Sequence, residues 1–287
     1  MKKKILGFAG VLFVSLACGL SAPTTTQAQS GVETIVAETL QAVTANAPAT
    51  TSQSGISVSF QNVTFVIPGG LASGANSELV PLADETNSDP WSIAPEHILF
   101  TLTGYSSPVG SFEPVVRVYP AQEYAAVSPW AESSLTRLQS ILANPTGLLT
   151  NGNLSTVPFN GAAAQQYAAQ AKLLTFNSGT GVRMISQYSQ FPGPITKDNS
   201  FYHFEGLTND GKYMVAILFS VSLPLQATAD NPSADGVPYP SDIANASGLI
   251  SYYQGITDKL NAASPESFQP ALIQLDTLIQ SITVKSQ

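Results

Sequence analysis

The chain contains two histidines, and one of them lies two residues before a glutamate in the sequence FYHFEG. Residues i and i+2 of a β-strand point to the same face, so His203 and Glu205 are expected to lie side by side. An imidazole next to a carboxylate could act as a general base in a hydrolase. The commoner role of a strand histidine is a half-exposed structural one, and the residue pattern leaves both interpretations open.

The second histidine, His97, follows Pro95 and Glu96 where a strand is expected to begin. It is a second catalytic candidate, and the alternative is a polar residue at the end of a loop. Because the chain has two histidines and Cys18 is its single cysteine, we do not expect an ordinary zinc or copper site. We also expect no cofactor.

The usual signatures of nucleophilic catalysis are missing from the sequence. It has no G-x-S-x-G elbow, no S-x-x-K motif and no cysteine beyond the N-terminal segment. A hydrolase would therefore need an unmarked serine beside one of the histidines, or a pair of carboxylates as in glycoside hydrolases. The glutamates that could join such a pair are Glu96, Glu113, Glu123 and Glu205.

An acidic, proline-rich loop with the sequence DNPSADGVPYPSD is the one candidate calcium site. Its possible ligands are Asp230, Asn231, Asp235 and Asp242, whose side-chain oxygens suit that ion. The spacing does not match an EF-hand, so the alternative is a set of solvated loop acids.

The stretch from residue 172 to 222 is predicted to form the central meander of a sheet and to carry His203 and Glu205 on one strand. Alternation in 182–189 predicts one packed face and one partly wet face, whereas 213–221 is apolar on both faces and is expected to be central. The four predicted strands cover 173–177, 182–189, 201–207 and 213–221, with turns at 178–181 and 209–211.

Around this meander the sequence predicts further strands and a set of helices. A phase shift at Gln61-Asn62 indicates a hairpin or bulge between two short strands, and Pro68–Asp89 is predicted to be a long polar loop, which could act as the lid of a hydrolase. Other strands are expected near 98–102, 116–119 and 282–284, and helices near 121–127, 131–143, 161–171, 244–260 and 265–280. The predicted fold is α+β: a mainly antiparallel sheet, with its central meander at about 172–222, covered by helices, with an α/β/α sandwich as one form of it.

The N-terminus resembles an export signal. Three lysines precede an apolar run of 16 residues, Ile5–Leu20, which is shorter than a comfortable membrane span. Cleavage after Ala28 would remove a signal peptide of residues 1–28, whereas lipidation at Cys18 would follow a lipoprotein signal of residues 1–17. Residues 29–55 are predicted to be a tether with an amphipathic helix, and residues 56–287 a single α+β domain.

The charge balance restricts the partners. The chain has 11 basic and 19 acidic residues and a formal net charge of −8. An acidic surface disfavours nucleic acid and anionic lipid, so we expect a membrane contact only through a lipid anchor on Cys18.

Several segments resemble a family of uncharacterised bacterial extracytoplasmic domains, secreted or lipoprotein-like, with no assigned activity. The resemblance rests on GVRMISQYSQ, FYHFEGLTNDGKYMVAILFSVSLP, SFQNVTFVIPGGLASG, APEHILFTLTGY, VVRVYPAQEY and FQPALIQLDTLIQSITV, and it spans about 56–284. The closing helix with SITV is also similar to the PsbP/Mog1-like α/β/α sandwich. The first resemblance implies an extracytoplasmic location, and the second favours binding or assembly over catalysis.

No motif specifies an activity. The favoured hypothesis is a non-enzymatic, exported or lipid-anchored envelope domain that binds a protein partner or a small apolar ligand. The alternative is an envelope hydrolase that uses His203 and Glu205, or a carboxylate pair.

Overall fold

The computed structural model describes residues 55–86, 88–109, 112–154 and 163–286. The predicted signal segment, Cys18 and the tether helix lie outside these residues and stay predictions. None of the helices within the described ranges is long and apolar enough to cross a membrane.

A seven-stranded antiparallel sheet forms the centre of the fold, with the order β3-β4-β5-β9-β8-β7-β6. Its strands are β3 (Gly74–Val80), β4 (His97–Thr103), β5 (Val115–Pro120), β6 (Ala164–Phe176), β7 (Gly179–Ser189), β8 (Ser200–Thr208) and β9 (Tyr213–Val221). A second sheet has the order β1-β2-β10 and consists of β1 (Ile56–Phe60), β2 (Val63–Ile67) and β10 (Thr283–Val284). The predicted hairpin at Gln61-Asn62 is confirmed, since Phe60 pairs with Val63.

Helices pack on both faces of the large sheet. On one face lie α1 (Ala121–Val127) and α2 (Pro129–Ala143), which share an apolar cluster with Val182, Met184 and Ala216 of the sheet. On the other face lie α3 (Ala246–Ala262), α4 (Leu272–Gln280) and the small sheet, which join the main core. The predicted α+β class, with an antiparallel sheet covered by helices, is confirmed.

The predicted meander is confirmed as β6 to β9, and β9 is buried on both faces from Met214 to Val221. Two details differ. The first turn is Asn177-Ser178, so Gly179 and Gly181 lie within β7 and not in the turn. The strand is also buried on both faces from Gly181 to Ser186, because α2 covers the face of Val182 and Met184 while the main core and α4 cover the face of Arg183 and Ile185.

Close packing explains why glycine occupies the start of β7. A Cβ on Gly181 would lie 2.2 Å from the Glu205 carbonyl oxygen and 2.6 Å from Cζ of Phe204. The ring of Phe204 therefore lies against the backbone at a place where no side chain fits.

The predicted helix at 161–171 is wrong within the described residues, because Ala164–Phe176 is strand β6. Alanine and glutamine favour helices, but Tyr167 and Ala169 point inward alternately and pair with Gln187 and Ile185 of β7. The ladder to β7 and the burial of these two side chains outweigh the local preference.

Two other expectations need correction. Pro68–Asp89 is not one long loop, because Gly74–Val80 pairs along its whole length with β4. This strand lies at the sheet edge and is largely exposed, so its sequence lacks the alternation that would have revealed it. The last helix begins at Leu272 and not near Pro265, since Pro270 cannot donate a helical hydrogen bond.

Candidate functional site

His203 and Glu205 lie next to each other on β8, as their spacing predicts. The His203 Nε2 atom donates to Glu205 Oε1 over 3.1 Å, and both side chains have no exposed surface. The expectation of a half-exposed histidine is therefore wrong. Val182 and Ala216 flank Glu205 in the sheet, while Met184 and Leu218 flank His203, so none of the four cross-strand neighbours carries a hydroxyl.

The helical hairpin of α1 and α2 covers this histidine–glutamate pair. The buried Oε2 atom of Glu205 has no hydrogen-bond partner within the described residues. Tyr124 of α1 is close enough to interact with this carboxylate: burial raises the pKa of Tyr124 above its usual value, and the nearby Tyr119 and Glu205 raise it further, whereas Arg117 lowers it. The pair thus lies in a closed, partly polar layer between helix and sheet.

His97 lies at the far end of the same sheet face and is also buried. Its ring is 4.4 Å from that of Tyr119, which stacks in turn on Tyr124 at 4.2 Å. Its Nδ1 atom lies 2.9 Å from the carbonyl oxygen of Pro95. Burial lowers the pKa of His97 below its usual value, and His97 is a packed residue at the start of β4 and not a polar loop end.

The remaining carboxylate candidates do not share this environment. Glu96, Glu113 and Glu123 are exposed, in contrast to Glu205. The candidate calcium ligands are engaged separately: the carboxylate of Asp235 accepts from the backbone amides of Gln226 and Ala227, and that of Asp242 accepts from the amide of Ala244.

Lys259 Nζ also lies 3.9 Å from Asp235. Across the described ranges, no group of three or more His, Cys, Asp or Glu side chains is placed to hold a metal ion. The calcium site considered from the sequence, with Asp230 and Asn231 among its ligands, stays a prediction.

An open groove lies at the opposite edge of the sheet, beside β6. Its volume is about 610 Å³, and its walls are β6, the outer side of α3 and residues 149–151. We call it the amide groove, because carboxamides dominate its polar lining. The residues that define it are Asn151, Gln166, Tyr253, Gln254, Thr257 and Asn261.

Five carboxamides line the groove, and four of them are held by hydrogen bonds at one end, whereas the fifth, that of Gln170, is engaged at both ends. The NH₂ groups of Gln166 and Gln254 donate, the first to the carbonyl of Ala164 and the second to the carboxylate of Asp258. The oxygens of Asn151 and Asn261 accept, from Gln165 and from the backbone amide of Gln170. Within the described part of the chain, the opposite ends make no hydrogen bond, so the groove presents two oxygens and two NH₂ groups.

The groove is close to electrically neutral. Lys172 is the one charged side chain among its described lining residues, and its Nζ atom lies 2.6 Å from Asp276 Oδ2. A lysine paired in this way contributes little net charge to a ligand site.

A buried ionic cluster contacts the lining of the groove at Gln170 and Lys172. Arg183 of β7 meets Asp276 of α4 through two parallel contacts, Nε to Oδ1 at 3.2 Å and Nη2 to Oδ2 at 3.3 Å. The Tyr202 hydroxyl donates to Asp276 Oδ1 over 2.9 Å, and Arg183 Nη1 donates to the carbonyl of Gln170. We call Arg183, Asp276, Tyr202 and Lys172 the arginine–aspartate cluster.

Gln170 lies in a β-bulge, where β6 has two residues opposite one residue of β7. Its φ angle of 56° is unusual for a residue with a side chain. The side chain compensates by donating to the carbonyls of Leu260 and Ala263, at 2.8 and 3.0 Å. The bulge thereby attaches the C-terminal end of α3 to the edge strand beside the groove.

Sequence reasoning missed the amide groove and the arginine–aspartate cluster. The groove was hidden because 161–171 was predicted to be a helix, and the run AQQYAAQA shows no clear alternation that would have indicated a strand. The cluster had a clearer signal, since Asp276 stands on the apolar stripe of α4 beside Leu275. An acidic residue on a buried stripe requires a buried partner.

In comparisons with known proteins, the chain matches no protein-family model, no curated protein and no solved structure. The resemblance to bacterial extracytoplasmic domains and to the PsbP/Mog1-like sandwich therefore stays a prediction.

Proposed function

We propose that the protein is an exported or lipid-anchored domain of a bacterial envelope that binds a ligand without chemical conversion, and that the amide groove is its binding site. The observation that carries this proposal is the set of four carboxamides, each anchored by one end and presenting the other to an open cavity. Polar side chains that are already fixed in the free protein lose little conformational entropy when a ligand binds.

The burial of the histidine–glutamate pair supports binding over hydrolysis. A general base must come within hydrogen-bonding distance of the group that it deprotonates. His203 and Glu205 have no exposed surface, and α1 and α2 pack over them, so a substrate would have to displace two helices to reach them.

The proposed location rests on the sequence. Lys2, Lys3 and Lys4 before an apolar run resemble a signal peptide, and Cys18 offers a site for a lipid anchor. The acidic composition is compatible with a domain that stays soluble outside the cytoplasm.

Native mass spectrometry of the protein purified from its own envelope tests the binding function. We expect an added mass on the wild-type chain and a reduced fraction of it on the double variant Gln166→Ala/Gln254→Ala. Gln139→Ala is the matched control, since Gln139 is an exposed helical glutamine outside the groove. A bare chain in all three preparations, together with hydrolytic activity that His203→Ala abolishes, would contradict the proposal.

A further inference from the structure

We propose that the amide groove binds a neutral oligosaccharide. This inference rests on the proposed function and narrows it to one chemical class of ligand. It departs from the protein partner or apolar ligand that the sequence suggested, because the lining that the fold assembles is largely polar and its one charged residue, Lys172, is paired.

The hydrogen-bonding pattern of the groove matches sugar hydroxyls. Each hydroxyl can donate one hydrogen bond and accept two, so it needs donors and acceptors close together. The outward ends of Gln166 and Gln254 are acceptors, and those of Asn151 and Asn261 are donors. A row of vicinal hydroxyls could satisfy both kinds of group at once.

Tyr253 and Ile250 supply the apolar surface that the carbon face of a sugar ring requires. Ile250 is 70% exposed and lines the groove, so its side chain is accessible to a ligand there. The Tyr253 hydroxyl accepts from the amide of Gly193 and donates to its carbonyl, both at 3.0 Å, so the ring is held in one position. Fixed aromatic rings beside polar groups are a common feature of small-ligand sites.

The charges of the groove disfavour acidic ligands. Lys172 is its one charged described lining residue, and Asp276 already neutralises that lysine at 2.6 Å. A phosphate or a carboxylate would find no unpaired cation among these residues. A wholly apolar ligand would remove the four carboxamides from water without replacing their hydrogen bonds, which is unfavourable.

The shape of β6 disfavours an added peptide strand. Strand addition needs a regular edge with available backbone groups. The bulge at Gln170 interrupts that edge, and the Gln170 amide already donates to Asn261 over 2.6 Å. The volume of about 610 Å³ is nevertheless ample for a ligand of several sugar rings.

A glycan array that carries neutral and acidic oligosaccharides, followed by calorimetric titration with the strongest neutral binder, tests this inference. We compare the full chain with Gln166→Ala, Gln254→Ala and the control Gln139→Ala. Thermal unfolding first establishes that all four proteins are folded at the temperature of the titration. We expect binding to a neutral glycan that is insensitive to salt, and each groove variant to bind roughly tenfold more weakly, the effect of one lost hydrogen bond.

Binding to acidic glycans alone, or to no neutral glycan on the array, would overturn the inference. Equal affinities of the wild type and the two groove variants would also overturn it. A bound protein or lipid in native mass spectrometry, lost in the groove variants, would leave the proposed function standing and reject the oligosaccharide. The two proposals therefore fail in distinguishable ways.

Discussion

Two buried polar clusters lie on opposite faces of strand β8, and they differ in how completely their hydrogen bonds are satisfied. Tyr202 points into the arginine–aspartate cluster, where both oxygens of Asp276 have partners. His203, the next residue, points to the face covered by α1 and α2, where Glu205 has one oxygen with no hydrogen bond among the described residues.

The contrast indicates that the arginine–aspartate cluster stabilises the fold, whereas the histidine–glutamate pair destabilises it. A buried carboxylate is tolerated when every lone pair finds a partner, and it destabilises the fold when one does not. The arginine–aspartate cluster binds the carbonyl of Gln170, so it supports the bulge beside the amide groove. The incomplete pair is sealed from solvent, and its burial and position do not suit direct catalysis.

The largest expected effect comes from removing the centre of the complete cluster. Asp276→Ala would leave the Arg183 guanidinium buried without its counter-ion, and we expect a loss of about 3–5 kcal/mol in the free energy of unfolding. Urea denaturation measures it. The control is Asp258→Ala, an exposed carboxylate on α3, which should change stability by less than about 0.5 kcal/mol. Equal losses in the two variants would show that the buried Asp276 stabilises the fold no more than an exposed carboxylate does.

A pair of double replacements sharpens the comparison. Arg183→Met/Asp276→Leu would leave the Gln170 carbonyl and the Tyr202 hydroxyl without their partners, and we expect a loss of about 2 kcal/mol or more. His203→Leu/Glu205→Met removes an incompletely bonded pair, so stability should stay the same or rise by about 1–2 kcal/mol. A larger loss of stability in His203→Leu/Glu205→Met than in Arg183→Met/Asp276→Leu would contradict this comparison.

Acid sensitivity between pH 5 and 7 should arise from the α1–α2 face, because the buried His97 lies there. Burial lowers the pKa of His97, so the unfolded chain binds the proton more readily than the folded one. The free energy of unfolding is therefore unaffected by His97 at pH values above its pKa in the unfolded chain, about 6.5. Below that pH it falls, by at most about 1.4 kcal/mol per pH unit. Arg117 strengthens this trend and Glu78 opposes it.

Unfolding curves of wild type and His97→Leu at pH 7.5, 6.5 and 5.5 measure this contribution. The stability difference between the two proteins should shift in favour of the variant as the pH falls. A difference that does not depend on pH would show that His97 titrates in the folded protein as it does in the unfolded chain.

The smallest effect concerns the link between the complete cluster and the groove. Gln170→Ala removes the hydrogen bonds to the Leu260 and Ala263 carbonyls, and we expect a loss of about 1 kcal/mol. Ligand binding in the groove should weaken as well, because the end of α3 loses its attachment to β6. An unchanged stability relative to the control Gln139→Ala would mean that the bulge needs no such support.

The sequence predicted those parts of the fold whose signals are local. Alternation and the Asp210-Gly211 turn correctly indicated β8 and β9, and the i, i+2 spacing correctly placed His203 beside Glu205. Burial of that pair was not predictable, because it depends on α1 and α2, which lie roughly 60 to 80 residues earlier in the chain.

The groove was beyond the reach of local patterns for a similar reason. Its carboxamides come from β6, α3 and the segment 149–151, and only the tertiary fold brings these together. Pairing with β7 overrode the helical preference of 164–171, and the edge strand β3 was hidden because both of its faces are largely exposed.

Hydrogen–deuterium exchange with and without a soluble extract of the envelope tests most directly whether the amide groove is the binding site. The account predicts slower exchange in peptides from 164–172 and 250–261, and no change in 121–143 or 200–208. The double variant Gln166→Ala/Gln254→Ala should lose this protection. Protection or opening confined to α1, α2 and the strand of His203 would contradict the account and place the functional site at the histidine–glutamate pair.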